Sequence, residues 1–188
     1  MISKLTSMAL AATALSLGGC MTTPATQTSA LSYVGGAAMY PTKTIVENAV
    51  NSPDHTTLVA AVKAAGLVDT LSGAGPFTVF APTNTAFGKL PAGTVDTLLL
   101  PQNLTTLQSV LTYHVVPGRV TAADLMGLIS AGGGQATLTT VQGATLTARM
   151  MGSQIMLVDG KGGMSHVTQG DVMQSNGVIH VVDNVLMS

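Results

Sequence analysis

The sequence predicts an α+β domain in which helices come first and strands dominate later. Three observations predict it. Apolar residues recur at helical spacing between residues 45 and 66 and again between 94 and 111. From about residue 135 the period changes to two, as in "QATLTTVQGATLTARM" and "SQIMLVDG". Turn signals punctuate that second half at Gln142-Gly143, Asp159-Gly160 and Asn176-Gly177. A run of helices followed by a run of strands is the α+β pattern.

Element by element, Ile45, Val46, Ala49 and Val50 share one helical face. Asp54 is placed to cap a second helix carrying Leu58, Val59 and Val62, which Gly66 stops. "PFTVFAP", residues 76 to 82, reads as a short apolar strand bounded by prolines. Two more helices follow, Thr94 to Leu100 and then Leu104, Leu107, Val110 and Leu111 behind a cap at Asn103. Tyr113 to Val116 reads as a strand ended by Pro117-Gly118, and a short helix from Thr121 to Leu125 precedes the glycine-rich link at 131 to 134. The rest is antiparallel strand, with Asn176-Gly177 the strongest hairpin signal in the chain.

The N-terminus carries a different kind of information. "MISKLTSMALAATALSLGGC" has one early cation at Lys4, an apolar stretch from Met8 to Leu17, and small residues before Cys20. That is a secretory signal, too short to span a membrane as a helix. Leu17-Gly18-Gly19-Cys20 resembles the bacterial lipobox, in which the Cys thiol is acylated and becomes the first residue of the mature protein. Cys20 is the only cysteine, so the exported domain is held together by packing alone. Met21 rather than Asp follows it, which by resemblance to Gram-negative sorting rules favours the outer membrane. From Met21 to about Pro41 the chain is small, polar and uncharged, and reads as a tether with an r.m.s. reach of roughly 25 Å. The expected organisation is a signal over 1–19, a lipidated Cys and tether over 20–41, and one domain over 42–188.

Composition excludes several functions. Of 188 residues 46% are apolar and 8% charged, with seven Lys plus Arg against eight Asp plus Glu. No basic stripe exists to neutralise phosphates, so nucleic acid is not an expected partner. Three Phe, three Tyr and no Trp leave few platforms for stacking bases or sugars. There is no GxSxG elbow, no phosphate loop, no carboxylate pair on one helix face, and no free thiol once Cys20 is acylated, so no enzyme is expected. No cofactor is expected either. His55, His114, His166 and His180 show no close pairing, which argues against a metal site. A soft copper site could be drawn from Met150, Met151, Met156, Met164 and Met173 with His166. Flexible core filler is the plainer use of methionine and is the expectation here.

Two boxes and a dipeptide carry a resemblance. "TVFAPTNTAF" (78 to 87), "GVIHVVDNVL" (177 to 186) and Tyr113-His114 between them resemble the signature segments of the fasciclin domain, and "DHTTLVAAVKAAGL" and "LPAGTVDTLL" fit the same family. The resemblance spans about residues 42 to 188. It implies a wedge-like β-sandwich with several helices packed at one edge, and a secreted or membrane-anchored adhesion module without catalysis. It also makes Thr78, Phe80, Pro82, Asn84, Phe87 and His180 structural motif residues. Two departures, Thr85 where bacterial relatives often carry an acid and the apolar end of Leu98-Leu99-Leu100 where a Lys is common, remove surface charge.

Candidate interaction residues follow from the same resemblance. Tyr113 and His114 match a segment proposed as adhesive in animal relatives, and Asp171-Val172-Met173 matches the core of one implicated in integrin contact. Both also have structural readings. If the segment is a strand, His114 shares a face with Val116 and serves as a neutral core histidine; Val172 would face inward. The expected function is a lipid-anchored cell-envelope module that binds a protein or cell-surface macromolecule. The alternative is a periplasmic structural or sensory subunit of a membrane complex, or a binder of a small apolar ligand. No pattern specifies an oligomeric state.

Overall fold

The structure, a computed structural model, describes residues 31–187. Cys20 and the signal and lipidation features expected of the first thirty residues lie outside the described residues.

The described chain opens with a hairpin of β1 (Ser32–Val34) and β2 (Ala37–Met39). Its turn is Gly35-Gly36, both at positive φ, the conformation that a tight two-residue hairpin turn demands. Val34 and Met39 face inward and are buried in the core. The tether expected up to Pro41 is therefore shorter, because residues 32 to 39 are paired strand.

Helix α1 (Ile45–Asn51) starts at a capping box in which the Thr44 hydroxyl accepts from the Glu47 N–H and Glu47 accepts in return from the Thr44 N–H. Its buried residues are Ile45 and Asn48, while Val50 is exposed, so the buried face is turned from the expected one. A 3-10 turn (Pro53–His55) leads into α2 (Thr56–Ala64), which ends in a Schellman motif: the Leu67 N–H donates to Val62 and the N–H of Gly66, at positive φ, donates to Lys63. Next come α3 (Val68–Ser72), β3 (Phe77–Pro82), α4 (Asn84–Gly88), α5 (Thr94–Leu98), a second 3-10 turn (Pro101–Asn103), α6 (Leu104–Tyr113), β4 (Val115–Pro117) and α7 (Ala122–Ala131). The chain closes with β5 (Gln135–Thr139), β6 (Thr145–Met151), β7 (Gln154–Val158), β8 (Met164–Gln174) and β9 (Gly177–Val182).

Seven strands form one mixed sheet in the order β4-β3-β9-β8-β7-β6-β5. β3 and β9 run parallel and all other pairs are antiparallel. The sheet curls: the Val141 N–H, just beyond β5, donates to the Val115 carbonyl of β4 at 2.8 Å, so the two ends of the order meet. β8 makes the bend. Its first residues pair with β7 and its last with β9, with register shifts between Val167, Gln169 and Val172.

β3 and β9 are buried on both faces, which is why they read as unbroken apolar runs. Val79, Ile179 and Val181 face one core, shared with Ile45, Leu58, Val62, Leu71, Leu107 and Leu111 of the helices. Phe80 and Val182 face a second core inside the curl, with Tyr113, Leu125, Ile129, Leu146, Leu157 and Leu186.

Several local expectations are corrected. Asp54 caps nothing; the N-cap of α2 is His55, without a side-chain cap bond. Asn103 precedes α6, but its amide donates instead to the Thr97 carbonyl. Tyr113 ends α6 and His114 is its C-cap in α conformation, so the strand begins only at Val115. Tyr113 and Val115 consequently face different cores. The helix after Thr121 starts at a second capping box, Thr121 with Asp124, and runs to Ala131, twice the expected length, because Leu125 and Ile129 continue one buried face. The hairpin before β9 turns on Ser175-Asn176, with Gly177 already in β9.

Candidate functional site

The residues of the two boxes are fasteners. Thr78, fully buried on β3, donates from its hydroxyl to the Gly118 carbonyl (2.7 Å) and accepts from the Val120 N–H (2.8 Å), fixing the loop that leaves β4. Phe80 stacks on His180 with ring centroids 5.6 Å apart, and Pro82 is buried at the end of β3. Asn84, the first residue of α4, reaches across to the start of α2: its carbonyl oxygen accepts from the Thr57 N–H (3.0 Å) and its amide donates to the Pro53 carbonyl (2.8 Å). It thus supplies in trans the cap that Asp54 does not. Phe87 packs half-buried against the helical core.

Two of the histidines, His114 and His180, follow one rule. His114 is 2% exposed; its Nδ1 lies 2.7 Å from the Val110 carbonyl and its Nε2 accepts from the Leu186 N–H at 3.0 Å. His180 is fully buried; its Nε2 lies 2.8 Å from the Val120 carbonyl and its Nδ1 accepts from the Asp171 N–H. A nitrogen facing a carbonyl must carry the proton and one facing an N–H must not, so both rings are neutral. Burial depresses the pKa of each, that of His114 to about 4. Tyr113, fully buried, donates to the Thr145 carbonyl and accepts from the Gly160 N–H, and burial pushes its hydroxyl pKa up. A partner cannot touch Tyr113 or His114 without opening the fold.

Asp171 is committed too. It sits in the β8 bend at φ 57°, and its carboxylate accepts from the Ala122 N–H at 2.7 Å, at the N-terminus of α7. Val172 is fully buried, so of the three-residue candidate only Met173 presents substantial surface, 37%.

Ser165, His166 and Asp183 lie together but not as a relay. The Ser165 hydroxyl is engaged with Asn184 and the Asp183 carboxylate, and the His166 Nδ1 lies 3.6 Å from the same carboxylate. The acid stands between the two, whereas a nucleophilic serine needs the histidine between itself and the acid. The apolar recess lined by Ile45, Val62, Val79, Leu111 and His114 has a volume of about 30 Å³, enough for one or two waters and far below what an organic ligand occupies.

What the surface does offer is the outer face of the first hairpin. Strand alternation that buries Val34 and Met39 turns Tyr33 and Ala38 outward. Leu31 and Tyr40 continue the same alternation, and Leu31, Tyr33 and Tyr40 are 41%, 59% and 43% exposed. The Lys43 ammonium sits 5.1 Å from the Tyr40 ring centroid. Two of the three tyrosines in the chain therefore stand on one outward face. Their position in an otherwise small and polar segment is the signal that marks them in the sequence.

The fasciclin domain profile matches residues 53–188. The chain belongs to the fasciclin domain family. This domain is generally a non-catalytic adhesion and interaction module. Among similar proteins, Protein sll1483 of Synechocystis sp. is 47% identical over 154 residues, covering 82% of this chain and 78% of its own. The Immunogenic protein MPB70 and the Cell surface glycolipoprotein MPB83 of Mycobacterium bovis are each 37% identical over 174 residues, covering 90% of this chain and 80% and 70% of theirs. The fold is shared with a FAS1 domain pair from the insect cell adhesion molecule Fasciclin I, at a TM-score of 0.68 and 20% identity, over 78% of this chain and 51% of that one.

Proposed function

We propose that this fasciclin domain is a lipid-anchored adhesion module of the cell envelope that binds another macromolecule through the outer face of its first hairpin. The observation that carries the reading is the pairing of Tyr33 and Tyr40, exposed on a rigid hairpin in a chain whose other tyrosine is buried. Tyrosines deliver large, stiff contact area with a hydrogen-bonding tip, the chemistry of interface hot spots. The lipobox-like Leu17-Gly18-Gly19-Cys20 supports the anchor, as does likeness to a cell surface glycolipoprotein.

Beads coated with the folded domain should attach to cells of the parent strain. The Tyr33→Ala/Tyr40→Ala variant should lose most of that attachment at unchanged melting temperature; attachment equal to the parent protein rejects the hairpin face. Replacing Cys20 by Ser should release the protein from the membrane fraction. With a net charge of −1, attachment should change little between 50 and 300 mM salt (roughly 14 and 6 Å Debye lengths), and a collapse over that range would point to a charged contact instead.

A further inference from the structure

Methionine at the five positions from 150 to 173 is not core filler. Met151 and Met164 are 59% and 55% exposed, Met150 and Met173 are 36% and 37% exposed, and Met156 is half-buried. Along β7 and β8 the alternation buries Ile155, Leu157, Ser165 and Val167 and so turns Met156, Met164 and His166 outward. Met156 stands directly opposite His166, and Met164, opposite Val158, is the next residue on the same face of β8. On its other side Met156 faces Arg149; Met151, opposite Gln154, lies further along β6 in the direction away from Met164 and outside the cluster. Opposed side chains on a sheet have Cβ atoms about 5 Å apart and diagonal neighbours about 7 to 8 Å, a span that unbranched thioethers close with ease.

The surroundings suit a ligand set. The His166 Nδ1 lies 3.6 Å from the Asp183 carboxylate, which is itself fixed by the His166 N–H at 2.8 Å, leaving Nε2 as the free donor. The carboxylate on the Nδ1 side turns the opposite ring nitrogen toward solvent, where a ligand can reach it. The Arg149 guanidinium donates to Gln135, and the Lys89 ammonium is held on Asp183, donating to its carbonyl at 2.6 Å and standing 3.4 Å from its carboxylate. Among the described residues no three His, Cys, Asp or Glu converge, which disfavours zinc and the oxygen-seeking cations. Neutral thioethers with one imidazole select a soft, monovalent d¹⁰ ion.

We propose that the outward face of β7 and β8 binds a cation of the Cu(I) class through Met156, Met164 and the Nε2 of His166. No electron transfer is involved; the ion enters as Cu(I), exchanging its solution ligands for thioether sulfur and imidazole nitrogen. The experiment uses the full chain, methyl-labelled at methionine, titrated with Ag(I) as a redox-inert probe and with Cu(I) against a competing chelator. One equivalent should shift the methyl resonances of Met156 and Met164 and leave those of Met39 and Met173 in place. Met156→Leu, Met164→Leu and His166→Ala should each weaken affinity by about tenfold or more, while Met173→Leu leaves it unchanged. The leucine variants conserve volume at exposed or half-exposed positions and so keep the fold. Absence of saturable binding, shifts spread over all methionines, wild-type affinity in the Leu variants, or displacement of Ag(I) by excess Zn(II) would each overturn the site.

Discussion

His114 and His180 use both ring nitrogens alike, one donating to a carbonyl and the other accepting an N–H, and this makes them sensors of acid by construction. Protonation would place a second ring N–H against an N–H of the backbone, in a buried site. Because burial holds the folded-state pKa below the ordinary 6.5, the unfolded chain binds the proton first as pH falls. Stability contributed by the neutral ring is complete above about pH 6.5 and drains away down to the folded value, about 4 for His114. That interval corresponds to about 3 kcal/mol from His114 alone, with a further loss in the same direction from His180 and from His55, also depressed by burial. Denaturant unfolding measured at pH 7.5 and 5.0 should show about 2 kcal/mol of this drop from His114, and His114→Gln, less stable at pH 7.5, should show a shallower one. Equal slopes in parent and variant would remove His114 from the account. The neutral core role of His114 was legible from its apolar neighbours. Its backbone was not, since "YHVV" fits a strand and only the packing of α6 on the sheet shows that the helix claims the first two residues.

At the scale of elements, caps supplied from a distance decide what local sequence leaves open. Asp54 stands at the right place by local rule, yet the N–H of Thr57 is satisfied by Asn84, twenty-seven residues on. No spacing rule reaches that far, so the motif asparagine was recognisable only as a motif. Asn84→Ala should cost about 1–2 kcal/mol by leaving Thr57 and Pro53 without their partner, whereas Asp54→Ala should stay within about 0.5 kcal/mol; thermal melts of the pair test which residue caps α2. The bend in β8 is similar. Asp171 holds a left-handed backbone that Asp and Asn tolerate, and its carboxylate caps the first turn of α7. The expected order of stability is Asp171 and Asp171→Asn close together, Asp171→Gly lower, and Asp171→Ala lowest by about 2 kcal/mol, since alanine loses the acceptor and strains the turn. A stable Asp171→Ala variant with weakened attachment would instead return Asp171 to the binding surface.

For the whole molecule, the open question is where the domain begins. The period change at residue 135 and the motif boxes made the class and most of the domain legible, and the family match begins at residue 53. The hairpin at 32 to 39 escaped because its strands are three residues each, too short for alternation to stand out from small polar sequence. It is nevertheless integral. Val34 and Met39 enter the helical core, and the fully buried Asn48 side chain joins the Tyr40 backbone, through both its oxygen and its amide, to Gln174 of β8. A chain starting at residue 42 leaves Asn48 with unmet bonds and exposes what Val34 and Met39 cover. Burying two such side chains is worth about 3–5 kcal/mol, a large fraction of the stability of a domain this size. Chains starting at residues 31 and 42 should therefore differ by that amount in denaturant unfolding. Equal stability would mean that the hairpin only rests on the domain, in which case Tyr33 and Tyr40 would lose the rigid platform on which their role as an adhesive face depends.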